Sequence, residues 1–67
     1  MIQLTINGQD HRFETAPTVT QVISQLALTQ RRIAVERNGE IVPRSRFEET
    51  LLTPGDRLEI VVAVGGG

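Results

Sequence analysis

Cysteine, lysine, tryptophan and tyrosine are all absent from this 67-residue chain, and histidine occurs once. Without cysteine the chain can form no disulfide, no thiolate metal site and no thiol nucleophile. A single histidine, His11, cannot build a metal cluster, and its place in a strand pattern indicates an ordinary side chain. The sequence offers no pair for general acid–base or nucleophilic catalysis. We therefore expect no metal, no bound cofactor and no catalytic residue.

Charge and hydropathy argue against two further kinds of partner. The net charge is −1 and the aromatic residues are two phenylalanines, so the basic stripe and stacking aromatics of a nucleic-acid-binding surface are missing. The basic pairs Arg31-Arg32 and Arg44/Arg46 are expected to be solvated loop charges. No apolar run approaches the roughly 20 residues that span a bilayer, and the first residues lack the pattern of a signal peptide. We expect a cytoplasmic protein that is monomeric when free and binds neither nucleic acid nor membrane.

The first half of the chain predicts a hairpin followed by a helix. Apolar and polar residues alternate over residues 2–6 and again over residues 9–14, the period of a half-buried strand. Asn7 and Gly8 between them are a strong hairpin signal, because both turn positions favour positive φ. Thr18 and Gln21 form a capping box. A helix of about ten residues, ending near residues 28–29, should follow with one apolar stripe at helical spacing: Val19, Val22, Ile23 and Leu26.

The second half predicts a short hairpin, an irregular connector and a final strand. In chain order the elements are strand 33–37, an Asn-Gly turn at 38–39, strand 40–42, connector 44–52 with one 3₁₀ turn, a type II turn at 53–56 and strand 57–64. Pro43 ends the short hairpin because it donates no hydrogen bond. Phe47 and either Leu51 or Leu52 should anchor the connector. The final strand is the most hydrophobic of the chain, which is typical of the middle of a sheet.

This order of elements predicts an α+β domain of the β-grasp (ubiquitin-like) type. The first and last strands are the longest and most apolar, so pairing them in parallel at the centre of the sheet buries both. A right-handed crossover through the helix allows that pairing. The expected result is a mixed four- to five-stranded sheet with one helix packed across one face, formed by residues 1–64. Residues 65–67 should be a flexible glycine C-terminal tail.

Three glycines, Gly65, Gly66 and Gly67, follow the last strand. Glycine has no side chain to pack and loses the most conformational entropy on ordering, so these residues add little to a fold. They instead let a partner approach the backbone and the terminal carboxylate closely. Three extended residues reach roughly 10 Å, which is enough to enter a narrow active-site channel. Terminal glycines also occur as frayed ends, so the motif alone is weak.

Residues 35–44 (Val-Glu-Arg-Asn-Gly-Glu-Ile-Val-Pro-Arg), 54–61 (Pro-Gly-Asp-Arg-Leu-Glu-Ile-Val) and 63–67 (Ala-Val-Gly-Gly-Gly) resemble a known family. They look like the ubiquitin-like sulfur carrier of thiamin (thiazole) biosynthesis. The resemblance spans nearly the whole chain, including its length and element order. Its most specific part is Asn-Gly-Glu-Ile-Val-Pro-Arg at residues 38–44, because the glycine ending is shared by ubiquitin-like carriers in general.

The resemblance implies a carrier and not an enzyme. An ATP-dependent adenylating enzyme would activate the carboxylate of Gly67, while Gly65 and Gly66 would enter the partner's active site. Sulfur drawn from cysteine through a persulfide, by a cysteine desulfurase system, would displace AMP and leave a thiocarboxylate. Thiazole synthase would then take that sulfur into the thiazole ring. ATP would be used by the partner, and the carrier itself would bind no cofactor.

Two exposed residues are candidates for a partner surface. If Leu58, Ile60 and Val62 face the helix, then Val61 and Ala63 are exposed apolar side chains beside the tail. A covering loop, or the ordinary scatter of apolar residues on a surface, would explain them equally well.

Other functions share the same tail chemistry and stay open. A sulfur carrier for molybdopterin, cysteine synthesis or tRNA thiolation would have the same glycine ending. A ubiquitin-like protein-binding module or protein modifier is a further alternative, and it predicts an isopeptide-linked target without a thiocarboxylate. A β-grasp domain cut from a larger enzyme is disfavoured by the natural appearance of both ends of the sequence.

Overall fold

Five strands and one α-helix form a single layered arrangement in the computed structural model, which describes residues 1–63. The elements are β1 Ile2–Ile6, β2 Gln9–Phe13, α1 Val19–Gln25, β3 Ile33–Arg37, β4 Glu40–Val42, a 3₁₀ turn Arg44–Arg46 and β5 Arg57–Val62. The strand order is β2-β1-β5-β3-β4, with β1 and β5 parallel and the other neighbours antiparallel. The predicted β-grasp sheet with its parallel central pair is therefore confirmed.

The predicted boundary after residue 64 and the glycine tail at residues 65–67 fall outside the described residues, so both stay predictions. Within residues 1–63, no helix combines the length and the apolar composition needed to cross a membrane.

Both asparagine–glycine turns have the left-handed backbone that the sequence predicts. The φ angles are +50° at Asn7 and +82° at Gly8, and +51° at Asn38 and +86° at Gly39. Positive φ at both central positions matches the right-handed twist of the flanking strands, which is why this residue pair is favoured in two-residue hairpins. The two turns thereby fix the registers of the β1–β2 and β3–β4 pairs.

The helix α1 begins at the predicted capping box. The Thr18 hydroxyl accepts a hydrogen bond from the N–H of Gln21 at 3.2 Å, and the Gln21 side-chain oxygen accepts one from the N–H of Thr18 at 2.8 Å. These two bonds satisfy backbone donors that the first helical turn leaves free. The predicted apolar stripe faces the sheet. Val19, Val22 and Ile23 are buried, and Leu26 at the end of the stripe is half-buried.

The predicted helix end near residues 28–29 is wrong, because α1 ends at Gln25. Ala27 takes a φ of +60°, a left-handed conformation that glycine usually occupies at this position. The N–H of Leu28 donates to the carbonyl oxygen of Ile23 at 3.0 Å, which completes a Schellman motif. The apolar periodicity continues past the helix because Leu28 still packs against the core.

The core lies between α1 and one face of the sheet, and the connector closes its side. The buried apolar side chains are Leu4, Ile6, Val19, Val22, Ile23, Val35, Val42, Phe47, Leu52, Leu58 and Ile60. Phe47 and Leu52 anchor the connector, whereas Leu51 is exposed, which decides between the two leucines left open by the sequence. The side chains of β5 that alternate with this set point to the opposite face of the sheet.

Asp56, only 6% exposed, ties the type II turn to β3. Its Oδ2 accepts hydrogen bonds from the N–H of Thr53 at 2.8 Å and from Arg37 Nε at 2.9 Å. Its Oδ1 accepts from the Asn38 side-chain amide at 3.0 Å and from the Thr53 hydroxyl at 3.1 Å. Burial alone would raise the pKa of Asp56, but these hydrogen bonds outweigh burial and hold the pKa of the carboxyl below its usual value.

The asparagines of both hairpin turns also hold β5 through their side chains. Asn7 Oδ1 accepts from the N–H of Ile60 at 2.7 Å, and Asn7 Nδ2 donates to the Ile60 carbonyl oxygen at 3.1 Å. Asn38 Oδ1 accepts from the N–H of Arg57 at 2.9 Å. Each asparagine therefore shapes its own turn and positions the central strand, and the sequence pattern predicted the first role alone.

Replacing Ala27 with glycine should raise the free energy of unfolding by about 0.5–1 kcal/mol, because glycine adopts positive φ without a Cβ clash. Urea denaturation followed by circular dichroism measures the change. Ala34→Gly in β3 is the matched control and should lower the free energy of unfolding, because glycine weakens a strand interior. A loss of stability in Ala27→Gly would contradict the left-handed helix end.

Replacing Asp56 with asparagine should lower the free energy of unfolding at neutral pH by about 2–3 kcal/mol, because the half-buried Arg37 loses its carboxylate partner. The pKa of Asp56 is lower in the folded than in the unfolded chain. Its stabilising contribution is therefore complete above the unfolded value of about 4 and is lost as pH falls through the folded value.

The difference in stability between wild type and Asp56→Asn should accordingly shrink as the pH is lowered from neutral to about 3. Chemical denaturation at a series of pH values measures that difference. Asp10→Asn, a change at an exposed position of β2, serves as the control and should leave the stability within about 0.5 kcal/mol of wild type. A difference for Asp56→Asn that stays constant over this pH range would argue against the charge-dependent role.

Candidate functional site

The end of the central strand β5 is where the predicted tail leaves the domain. Val62 lies opposite Ile33 of β3, and the N–H of Ala63 donates to the carbonyl oxygen of Arg32 at 2.8 Å. Backbone pairing with β3 and the loop before it therefore continues to residue 63. The predicted site residues 65–67 lie outside the described residues, so the roles assigned to these three glycines stay predictions.

Val61 and Ala63 lie on the sheet face that points away from α1. Leu58 and Ile60, which alternate with them along β5, are buried beneath the helix. Val61 is 62% exposed and Ala63 is also exposed, so a covering loop within the described residues does not account for them. The structure brings the two candidates to one face beside the end of the strand, and their role in binding a partner stays a prediction.

Cross-strand neighbours extend this surface beyond the residues that the sequence indicated. Ala34 lies opposite Val61, and Glu36 lies between Glu59 on one side and Ile41 on the other. Ile41 is 64% exposed. We call these five residues, together with Ala63, the open sheet face. Its apolar side chains flank two carboxylates. The surface therefore offers contacts to both apolar and basic groups of another molecule.

Glu36 and Glu59 are directly opposite each other on neighbouring strands. Like charges in this arrangement are unfavourable, and neither carboxylate forms a salt bridge within the described part of the chain. Glu36 and Ile41 are exposed on the face of the sheet that points away from the core. The sequence did not reveal that Glu36 lies between Glu59 and Ile41, because register between distant strands leaves no local signal.

The described residues show little that could perform chemistry. No group of three or more histidine, aspartate or glutamate side chains among residues 1–63 could hold a metal ion. Two open grooves have volumes of about 390 and 350 Å³, and the buried charged residue Asp56 lines neither of them. Since the Asp56 carboxylate is fully engaged by its neighbours, it is not free to act as a base.

Comparison with known proteins identifies a family for this chain. The model of the ThiS family matches residues 4–67. The chain is 42% identical over 66 residues to a thiazole synthase of Paramagnetospirillum magneticum, a match that covers 98% of this chain and 20% of that protein. It is 35% identical over 65 residues to the sulfur carrier protein ThiS of Bacillus subtilis, covering 96% of this chain and 98% of that protein.

The solved structures agree on the fold. The crystal structure of the thiamine biosynthesis protein ThiS from Geobacter metallireducens matches with a TM-score of 0.81 and 35% identity, covering 98% of this chain and 100% of that one. The chain spans about a fifth of the length of the thiazole synthases it matches, and nearly the full length of the Bacillus carrier. The predicted resemblance to the sulfur carriers of thiamin biosynthesis is confirmed by these matches. The chain belongs to the ThiS family of sulfur carrier proteins of thiamine biosynthesis.

Proposed function

We propose that Gly67 provides the carboxylate that carries sulfur, and that Gly65 and Gly66 bring it into the active sites of partner enzymes. The observation that supports this most directly is that the family match continues through residue 67, beyond the last strand. Three consecutive glycines occupy this segment. Because glycine has no side chain, the backbone there is narrow enough for a channel that would exclude other residues.

The proposed chemistry begins with activation, because a carboxylate at neutral pH is a poor electrophile. In the activating enzyme, a carboxylate oxygen of Gly67 attacks the α-phosphate of ATP, which forms an acyl adenylate and releases pyrophosphate. A persulfide of the cysteine desulfurase system then attacks the acyl carbon, and AMP leaves. A thiol then attacks the cysteine sulfur of the resulting sulfur–sulfur bond. The products are the thiocarboxylate on Gly67 and a disulfide between that thiol and the cysteine that carried the persulfide.

The chain itself contributes presentation and docking to these steps. It has no cysteine to carry a persulfide, and the buried Asp56 is held by Arg37, Asn38 and Thr53. ATP is therefore a substrate of the activating enzyme and not a cofactor of the carrier. The reacting group lies at the end of a segment that follows directly from the central strand, so its position is set by how the folded body docks.

Thiazole synthase is the proposed acceptor of the sulfur. The thiazole synthases of Paramagnetospirillum magneticum and Magnetococcus marinus each contain a region similar to this chain that makes up about a fifth of their length. A carrier region joined covalently to an acceptor enzyme is present there at a high effective concentration. This arrangement favours thiazole formation over sulfur transfer to molybdopterin, cysteine or tRNA.

The open sheet face is the proposed surface for docking the folded body. Ordering a chain segment costs roughly 1–2 kcal/mol per residue, and glycine loses more freedom than any other residue. Contacts of the tail alone must overcome that cost, so a contact made by the body is needed. Val61 and Ala63 are exposed and lie closest to the tail, so they contribute apolar area where tail and body meet the partner.

Incubation with ATP, the activating enzyme and a persulfide sulfur source should convert the carrier to a thiocarboxylate on Gly67. Intact-mass spectrometry should show a gain equal to the replacement of one oxygen by one sulfur, located in the C-terminal peptide. A carrier lacking Gly66 and Gly67 is the control. It should show no such gain yet keep the wild-type melting temperature, because the buried core lies within residues 4–60.

Two results would contradict the proposed function. The first is the absence of any adenylate or thiocarboxylate with an activating enzyme that modifies the Bacillus carrier. The second is an isopeptide bond between Gly67 and a lysine of another protein, which would indicate a protein modifier.

Val61→Asp should weaken binding of the carrier to the activating enzyme about tenfold or more, because a carboxylate would be desolvated in an apolar contact. Isothermal titration calorimetry measures the dissociation constant. Gln3→Asp adds the same charge at an exposed position on β1 and is the matched control, expected to bind as wild type does. Circular dichroism checks that both variants fold. Wild-type affinity of a folded Val61→Asp variant would remove the open sheet face from the proposal.

A further inference from the structure

We propose that Arg31, Arg32 and Arg44 form a docking site for acidic side chains that surround the entrance to the active site of the activating enzyme. We call these three residues the arginine cluster. The proposal rests on the proposed function, since it concerns the partner that adenylates Gly67. It adds the chemistry of that partner's surface and names the residues of the carrier that recognise it.

The fold assembles the arginine cluster from two separate parts of the chain. The carbonyl oxygen of Arg32 accepts the hydrogen bond from the N–H of Ala63 at 2.8 Å, so this arginine lies beside the end of β5. Arg44, at the start of the 3₁₀ turn, places its Nη2 3.5 Å from the carbonyl oxygen of Arg31. All three side chains belong to exposed residues. Two basic segments that are separate in sequence thus meet where the tail leaves the domain.

The arginine cluster has no partner of opposite charge within the described residues. The salt bridges of that part of the chain join Arg37 to Asp56 and Arg46 to Glu49. Glu48 lines the same groove as Arg44 without forming an ion pair with it. The Arg44 guanidinium lies beside the backbone of Arg31, and arginine is suited to bind carboxylates through two parallel hydrogen bonds. The cluster is therefore available to carboxylates of another molecule.

The charges at this end of the carrier suggest a matching arrangement of charge on the activating enzyme. Four residues beyond Ala63 can extend at most about 14 Å, and their terminal carboxylate is negative. If a partner holds these residues extended, that length exceeds the screening length of about 8 Å at physiological ionic strength, and the partner then interacts with the carboxylate and the arginine cluster separately. An active site that binds the phosphates of ATP is itself basic. An acidic rim around a basic interior complements both parts of the carrier at once.

Pyrophosphate exchange catalysed by the activating enzyme tests this arrangement. A variant with Arg31, Arg32 and Arg44 all replaced by glutamine should raise the KM for the carrier about tenfold or more at low ionic strength, with kcat within about twofold. The difference in KM should narrow as salt is added, because screening weakens the same attraction in the wild type. A purely structural role would not produce this dependence on salt.

The matched control replaces Arg12, Arg46 and Arg57 by glutamine, which removes the same charge from other exposed positions. It should keep a KM within about twofold of wild type, and melting curves should show that both triple variants fold. A cluster variant whose KM equals that of the control overturns this inference alone. If the wild-type carrier supports no exchange at all, the proposed function fails and this inference fails with it.

Discussion

Hydrogen bonds from the two asparagine–glycine turns to β5 are the contacts on which the rest of the structure depends. The parallel pairing of β1 with β5 comprises two residue pairs, which is short for the central contact of a sheet. The side chain of Asn7 extends it by binding both backbone groups of Ile60, and Asn38 binds the backbone of Arg57. Without these amides β5 would be held by its short parallel pairing with β1, its antiparallel pairing with β3 and the apolar core.

The two ends of β5 are held by different numbers of contacts. Its beginning is held on both sides, by the turn around Asp56 and by the side chain of Asn7. Beyond Ile60 the described pairing is with β3 and with Arg32 in the loop before it. The strand therefore has a fixed starting point and leaves the sheet in a defined direction. The sulfur transfer proposed above needs that combination, because the docked body would aim a reacting group several residues beyond the strand.

Most of the fold could be predicted from local signals, and the failures were of two physical kinds. The asparagine–glycine turns and the Thr18 capping box depend on residues close in sequence, and the structure has them as predicted. The helix end was misjudged because Ala27 occupies a left-handed position where sequence favours glycine. The second kind concerns long-range contacts.

The hydrogen bonds between Asn7 and Ile60 join residues 53 positions apart, and no local pattern indicates them. The same limit applies to the candidate site. Alternation along β5 predicted the exposure of Val61. Its neighbour Ala34 on β3, and the position of Ile41 beside Glu36, depended on registers that only the folded chain shows. Predicting such neighbours requires knowing which strands pair, and composition and periodicity constrain pairing weakly.

The net charge does not describe how charge is arranged on the surface of this chain. A value of −1 and two short basic pairs suggested solvated loop charge, and the arginines of both pairs are exposed. The fold also brings Glu36 and Glu59 opposite each other on the open sheet face and places the arginine cluster beside the end of β5. Both groups lack internal partners within the described residues, so both retain their charge for an intermolecular contact. In the docking proposed above, a partner that receives the tail would match both of these charged surfaces. Such a match provides specificity that a bare glycine segment, common to many carriers, cannot provide by itself.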